Sequence, residues 1–488
     1  MLRKIRIIFA LICFSALTLL LLGITWHGYV YMTFVAKIQF IPAVLALNVT
    51  AIVGLILMTL LFGRIYCSVI CPLGVMQDVF SWIGGKIKRN RFNYSAEKRA
   101  LRYVILMIFI IALIMGFAPL TTILEPYAAY GRIVNTLLKP LVDTLNNYIA
   151  DIAWEHGSYA FTPVEVWLRG VTVPIVAALT LICIVALALK SGRTYCNTIC
   201  PVGSMLSLLA RFSLVKVRFD KDKCRNCSLC EKNCKASAID FRNGTIDYSR
   251  CVVCGDCIDK CRFDALHYTL DRKNQQHEVQ IDTSRRAMIV ATTSATVAAT
   301  TAKAMAAVNS GVATVSDKAI LHRQHHILPP GAVTHDRFAK KCIACQLCVS
   351  ACPNNVLRPA ADAGRFMQPE MSYERGYCRP ECNQCGQVCP TSAIKEFEVW
   401  EKTDIHIGHA VWIKENCVVL NDNVSCGNCA RHCPVEAINM VPYKDKPFQK
   451  IPAVDVTKCI GCGACENLCP ARPFSAIYIE GHQQHVYA

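Results

Sequence analysis

Two stretches, "CRNCSLCEKNC" at Cys224–Cys234 and "CVVCGDCIDKC" at Cys251–Cys261, constrain this chain more than anything else in it. Each reads C-x2-C-x2-C-x3-C, a spacing in which three thiolates from one tight loop cap an iron-sulfur cubane while the fourth reaches the neighbouring one. The spacing predicts one [4Fe-4S] site from Cys224, Cys227, Cys230 and Cys261, and a second from Cys251, Cys254, Cys257 and Cys234. A zinc ribbon uses paired CxxC, and a triplet repeated twice argues against it. The usual proline after the fourth cysteine is replaced by Lys235 and Arg262. Those cations would raise the cluster potentials, dock an anionic partner, or reflect tolerated variation.

Four more runs follow: Cys342, Cys345, Cys348, Cys352; Cys378, Cys382, Cys385, Cys389; Cys417, Cys426, Cys429, Cys433; and Cys459, Cys462, Cys465, Cys469. Each ends in Cys-Pro, and the outer two are regular while the inner two are irregular. A nested plan is favoured, with the inner pair inserted in the outer one. It assigns Cys342, Cys345, Cys348 with Cys469; Cys459, Cys462, Cys465 with Cys352; Cys378, Cys382, Cys385 with Cys433; and Cys417, Cys426, Cys429 with Cys389. Sequential pairing is the alternative. With 30 cysteines mostly at fixed short gaps, metal ligation fits better than a disulfide scaffold. Cys13 and Cys183 stand alone in apolar runs and read as small core hydrophobes. The formal charge of +17 suggests nucleic acid at first sight. Six thiolate-ligated clusters at about −2 each would remove about 12 of those charges, so no nucleic-acid partner is expected.

The chain is 53% hydrophobic, and five segments approach the ~20 residues that a bilayer-spanning helix needs. They run about Ile5–Ile24, Ile41–Phe62, Leu101–Phe117, Val171–Leu189 and Ala287–Val308. Lys and Arg near span ends stay on the cytoplasmic side. Arg3, Lys4 and Arg6, the basic connection from Arg64 to Arg102, and Lys190 to Arg218 therefore lie inside. The connection holding only Lys37, and the base-poor one after Phe117, lie outside. The first segment lacks a clear small-residue cleavage site and reads as an uncleaved helix. Within the outer loop, Ile133, Leu137, Leu141 and Leu145 recur at helical spacing beside Val134, Leu138 and Val142. This predicts an amphipathic helix on the outer interface, serving as a lid or admitting a lipid-soluble substrate.

"GRIYCSVICPLG" at Gly63–Gly74 recurs as "GRTYCNTICPVG" at Gly192–Gly203, each directly after a pair of spans. The bundle thus reads as a duplicated two-helix unit with a pseudo-twofold axis along the membrane normal. On a helix, i and i+4 share a face, so each CxxxC would present both sulfurs together. Cys67, Cys71, Cys196 and Cys200 would then form a candidate metal or redox site, with packing of small soft side chains as the bland alternative.

Arg285 and Arg286 precede a weakly hydrophobic Ala/Thr-rich segment, as in signals that export folded proteins. Ala304-Met305-Ala306 resembles a cleavage site, and an ordinary span anchored by two arginines is the alternative. The expected architecture is a multi-domain membrane protein: an α-helical bundle plus α+β bacterial-type ferredoxin domains. Its parts are a four-helix membrane domain (1–215), a cytoplasmic two-cluster domain (216–275), a twin-arginine-like transmembrane segment (284–310), a linker (311–335) and an exported four-cluster domain (336–488).

On these motifs, residues 1–270 resemble the NapH-type membrane ferredoxin, and residues 284–488 resemble the NapG/MauM-type exported polyferredoxin. The CxxxCP pair also occurs in a maturation family for nitrous oxide reductase. The resemblance implies a quinol dehydrogenase module of the bacterial cytoplasmic membrane, used in anaerobic respiration. It would carry six [4Fe-4S] clusters and pass electrons from quinol to a periplasmic reductase, such as nitrate reductase, or a small carrier. The alternative is a redox or maturation protein drawing on cytoplasmic ferredoxin to assemble an exported metalloenzyme. His27 and Glu125, near outer span ends, are weak quinol candidates. C-x-x-C-H, a Walker loop and G-x-G-x-x-G are all missing from the sequence, and no terminal catalytic domain is recognisable, so the chain reads as a relay.

Overall fold

The computed structural model describes residues 2–24, 29–87, 92–164, 166, 172–270, 318–319, 323–444 and 446–487. His27, the twin arginines and the expected fifth span lie outside the described residues. The first half is a helical bundle. Helix α1 (Leu2–Leu22) is followed by α2 (Tyr29–Lys37), α3 (Phe40–Leu45), α4 (Val49–Phe62), the single turn α5 (Tyr66–Val69) and α6 (Pro72–Ile87). Next come α7 (Arg99–Met115), α8 (Ala118–Leu124), α9 (Pro126–Ile133), a π-helical turn at Val134–Leu138, α10 (Lys139–Glu155) and α11 (Thr172–Ser191). A second π turn at Tyr195–Ile199 then leads into α12 (Pro201–Ala210). Helices α1 and α11 are long and apolar enough to cross a membrane.

The repeat unit is larger than the two helices expected. In each half a long helix (α1 or α7) leads to a broken helix, a second apolar helix (α4 or α11), and the cysteine motif. The apolar run Ile41–Phe62 is not one helix: Leu47 turns through φ 56°, and Asn48 caps α4 by accepting from Ala51 N at 3.1 Å. Gln39 caps α3 and Glu125 caps α9, so a fully buried polar residue marks the break in each half. The Tyr66 hydroxyl, from the first motif, donates to Gln39 Oε1 at 2.9 Å; the equivalent Tyr195 hydroxyl donates to Leu124 O at 3.1 Å. The stripe from Ile133 to Leu145 is likewise not continuous. A π turn adds a residue per turn and rotates the stripe, leaving Ile133 and Val134 buried and Leu141 and Leu145 exposed. Cys183 is exposed on α11, so it is not a core residue.

Ferredoxin-type units occupy both ends of this bundle. The first contains β1 (Val215–Phe219), β2 (Ile239–Asp240), β3 (Thr245–Ile246) and β4 (Leu266–Leu270), with β1 antiparallel to β4 and β2 to β3. The C-terminal unit contains β5 (Leu357–Pro359), β6 (Pro369–Met371), β7 (Ile405–Trp412), β8 (Ile438–Tyr443), β9 (Lys446–Val454) and β10 (Ile477–Tyr487). These pair antiparallel as β5 with β6, β7 with β10 and β8 with β9. Helix α1 measures the separation of the two units. Near its start, Arg3 Nε pairs with Asp256 at 2.9 Å; just past its end, a Cβ on Gly23 would lie 2.7 Å from Ser350 O. Its 21 residues at 1.5 Å rise put the two contacts about 30 Å apart.

Docking of the first unit explains Lys235. Its ammonium lies 3.2 Å from Asp78 on α6 and 2.9 Å from Asp256. Asp78 also takes Arg6 and Arg193, each at 2.8 Å. Burial alone would raise the Asp78 carboxyl, but the Arg193 and Lys235 cations overcome it and hold it well below the usual carboxylate range. Its stabilising contribution is therefore present above the unfolded carboxylate value near 3.8 and fades only as pH falls through the depressed one. Asp78→Asn leaves three buried cations without their shared anion, an expected loss of about 3 to 5 kcal/mol. Thermal unfolding followed at the cluster absorbance of the two-cluster unit measures it; an unchanged midpoint would contradict this account of docking.

Candidate iron-sulfur and thiol centres

The regular cysteine loops share a backbone device. The residues flanking the second cysteine have positive φ in all four: Asn226 and Ser228, Val253 and Gly255, Ala344 and Gln346, Gly461 and Gly463. Alternating left-handed residues turn successive N–H groups toward one concavity, the arrangement that anionic clusters use. Val253 is strained by this, being a β-branched residue at φ 51°. Backbone N–H groups also reach the sulfurs, as from Ala238 to Cys234 (3.4 Å), Ala265 to Cys261 (3.3 Å) and Ala437 to Cys433 (3.2 Å). Such bonds to cluster sulfurs tune cluster potential. The donor set and the cradle both fit [4Fe-4S] clusters.

Cys224, Cys227, Cys230 and Cys261 line one cavity. Cys234 lies within electrostatic range of Cys251, Cys254 and Cys257. In the C-terminal unit the nested plan does not survive. One cavity is lined by Cys378, Cys382, Cys385 and Cys352, and another by Cys417, Cys426, Cys429 and Cys469. Cys342, Cys345 and Cys348 are electrostatic neighbours of Cys389, and Cys459 and Cys462 of Cys433. Pairing is therefore sequential, runs one with two and three with four. The physical reason is that each fourth cysteine ends its own short helix and crosses to the adjacent run, as in the two-cluster unit, so no run needs to bridge the whole domain.

The four cages of this unit adjoin one another in sequence. Cys348 neighbours Cys385, Cys462 neighbours Cys378, and Cys465 neighbours Cys429. Cys378 N also donates to Cys462 O at 2.9 Å, tying the second cage to the third. The first cage abuts the bundle, where a Cβ on Gly131 of α9 would lie 2.2 Å from Cys345 O, so only glycine permits the contact.

Between the two ferredoxin units sit Cys67, Cys71, Cys196 and Cys200, all at most 5% exposed. They do not lie on two helix faces as the spacing suggested. Cys67 is on the turn α5 and Cys196 on a π turn, while Cys71 and Cys200 precede the prolines that open α6 and α12. Proline is tolerated at the first helical position and not inside, so each motif breaks there. The second cysteine then meets a helix N-terminus, with Gly203 N donating to Cys200 Sγ at 3.4 Å.

Two arginines, both fully buried, cross-link the halves. Arg64 Nη2 donates to Cys196 O at 3.2 Å, and Arg193 Nη1 donates to Cys67 O at 2.5 Å. Each passes a motif glycine: a Cβ on Gly203 would lie 2.8 Å from Arg64 Nη2, and one on Gly74 3.3 Å from Arg193 Nη1. Arg64 also lies 3.8 Å from Cys67 Sγ, and Gln77 Nε2 lies 3.3 Å from Cys196 Sγ. Among the described residues, no three His, Cys, Asp or Glu side chains are grouped to hold a single metal ion.

The two-cluster unit touches this centre directly, and the C-terminal unit approaches it through the break between α8 and α9. Arg64 Nη1 donates to Ser249 O at 2.9 Å, two residues before Cys251, and Arg193 N donates to Lys235 O at 2.8 Å, one residue after Cys234. On the other side, Glu125 lies within electrostatic range of Cys71 and of Cys345. Tyr127 is buried beside Cys345, Cys389 and Cys348. Glu125 is thus not at an exposed outer end: its carboxylate is occupied in capping α9 through Ala128 N. The bridging role of α8–α9, and the cross-pairing of Arg64 and Arg193, were missed in the sequence; the duplicated Gly-Arg was the available signal.

A family model described as a 4Fe-4S binding domain matches residues 45–90 and 173–220, the two cysteine-motif repeats. A 4Fe-4S dicluster domain matches residues 341–393 and 424–472, in line with sequential pairing, and a 4Fe-4S binding domain matches residues 245–267. The methylamine utilization ferredoxin-type protein MauM of Methylobacillus flagellatus is 35% identical over 151 residues, 29% of this chain. The ferredoxin-type protein NapG of Escherichia coli is 32% identical over 155 residues, again 29% of this chain. The chain spans 62% of the length of that MauM and 64% of that NapG. An uncharacterized protein of Methanocaldococcus jannaschii is 23% identical over 241 residues, covering 48% of this chain and 76% of its own length. No solved structure matches.

Sequential pairing has a direct test. In Cys352→Ser, Cys378, Cys382 and Cys385 are expected to become alkylated by iodoacetamide in the folded protein, with Cys459, Cys462 and Cys465 protected; the reverse pattern would restore the nested plan. The chain is an iron-sulfur electron-transfer protein, a polyferredoxin related to the MauM and NapG ferredoxin-type proteins.

Proposed function

We propose that this chain is a membrane-spanning relay that takes electrons from quinol and delivers them through six [4Fe-4S] clusters to a reductase or small carrier outside the cytoplasmic membrane, nitrate reductase being the example that the resemblance implies. The observation that carries this is the buried four-thiol centre with one ferredoxin unit docked on each side. A bilayer setting is supported by the apolar side chains left exposed around the bundle, such as Phe9, Ile12, Ile111, Ile114, Leu179 and Ile182. Such a belt is expensive in water and natural in lipid.

When bound, [4Fe-4S] clusters supply one-electron carriers. This chain's residues do the rest. Arg64 and Arg193 fix the two motifs against each other and bring positive charge beside four sulfurs. Cys67, Cys71, Cys196 and Cys200 would hold a further iron-sulfur or redox group between the cage of Cys234, Cys251, Cys254 and Cys257 and the cage of Cys342, Cys345, Cys348 and Cys389. The exposed Cys227 at the outer cage of the two-cluster unit favours a second reading, entry of electrons from a cytoplasmic ferredoxin.

The experiment uses purified protein with its clusters intact. In Cys67→Ser/Cys196→Ser, a short-tailed naphthoquinol or dithionite-reduced ferredoxin is expected to reduce the two-cluster unit normally while EPR signals of the C-terminal clusters appear at least ~100-fold more slowly. Iron per protein should fall. Unchanged iron and unchanged C-terminal reduction would reduce the four thiols to packing, and reduction by ferredoxin alone would select the second reading.

A further inference from the structure

A cavity of about 760 Å³ lies where α1, α6 and the two-cluster unit meet. Its upper walls are apolar: Ala10 and Leu11 from α1, Val79 and Trp82 from α6. Leu11 and Trp82 are 54% and 59% exposed, so the cavity opens on the apolar outer face of the bundle, the direction from which a lipid-soluble molecule would arrive. Its floor is polar, made by Arg6, Asp78, Lys235 and Asp256. Arg6 is buried in that floor, its Nη1 held by Asp78 at 2.8 Å. The floor also abuts a cluster cage. Lys235 follows Cys234, and Asp256 stands between Cys254 and Cys257.

An occupant must therefore be apolar enough to enter between α1 and α6, carry oxygens for a floor of buried ion pairs, and exchange electrons with the adjacent cage. We propose that this cavity receives the head group of a quinol, and that electrons enter the protein at the cage of Cys234, Cys251, Cys254 and Cys257. The inference rests on the relay reading and adds its point of entry, at the end of the bundle opposite Glu125. Oxidation of one quinol breaks its two O–H bonds and gives the quinone. Two protons leave to water at the mouth beside the two-cluster unit. Two electrons leave one at a time, each reducing one cluster from the 2+ to the 1+ state. Trp82, with Lys86 Nζ 4.1 Å from its ring centroid, closes one side of the mouth.

The test keeps the full chain with its clusters and alters a wall that touches neither cage nor ion network. Val79→Trp fills the cavity from α6, and Trp82→Ala opens it. Val79→Trp is expected to raise the half-saturating concentration of a short-tailed naphthoquinol at least tenfold, with iron content and the rate of dithionite reduction unchanged. An azido-naphthoquinone should cross-link to peptides containing Leu11 and Trp82 in the wild type, and lose that label in Val79→Trp. Unchanged half-saturation with labelling elsewhere, for instance at Leu124–Tyr130, would overturn the site. Retention of an anionic phospholipid that the naphthoquinone does not displace would also overturn it. Labelling at α1 and α6 without cluster reduction would sustain the site while sinking the quinol-driven relay.

Discussion

The crossed pair of arginines is the interaction on which the rest of the structure depends. A guanidinium is costly to bury, and of this buried pair only Arg193 has a carboxylate partner, Asp78. The structure meets that cost with main-chain carbonyls, Asp78, and the sulfurs themselves. Because Arg64 and Arg193 each reach across to the first cysteine of the other repeat, neither half can hold its motif in place alone. The same two residues accept the two-cluster unit at Ser249 and Lys235. One interaction thus sets the bundle's symmetry, gathers the thiols and docks a redox partner on them.

The broken helices do the corresponding work on the opposite side. Gln39 and Glu125 are buried at the two breaks, and the motif tyrosines reach them from the cysteine side. The break at Glu125 carries α9 against the loop of Cys345 so closely that Gly131 has no room for a side chain. A continuous helix could not approach both a thiol centre and a cluster loop. From Cys345 outward each cage neighbours the next, ending at the cage of Cys417, Cys426, Cys429 and Cys469.

Much of this was legible in the residues. The x2-x2-x3 spacing grouped Cys224, Cys227 and Cys230 with Cys261, which the fold sets around one cavity, because each loop is local. Pairing among the last four runs was not legible, because it depends on which loop the Cys-Pro corner faces, and spacing within a run says nothing of that. The second apolar run looked like a single span since hydropathy sums over Leu47 and Asn48, although Asn48 carried a helix-cap signal. The thiol motif was read as a helix face because i and i+4 align, yet Pro72 and Pro201 already required a break after each second cysteine. Lys235 looked like variation within a ferredoxin loop; its role appears only once Asp78 is folded beside it.

The central claim is that electrons pass through the bundle between the two ferredoxin units by way of the four thiols. Proteoliposomes with ferricyanide trapped inside, and dithionite added outside to protein of known orientation, test it most directly. The account expects dithionite-driven loss of trapped ferricyanide in the wild-type protein and none above background in Cys67→Ser/Cys196→Ser. Transfer that survives the double substitution, or that is missing from wild-type protein with all clusters present, would contradict it.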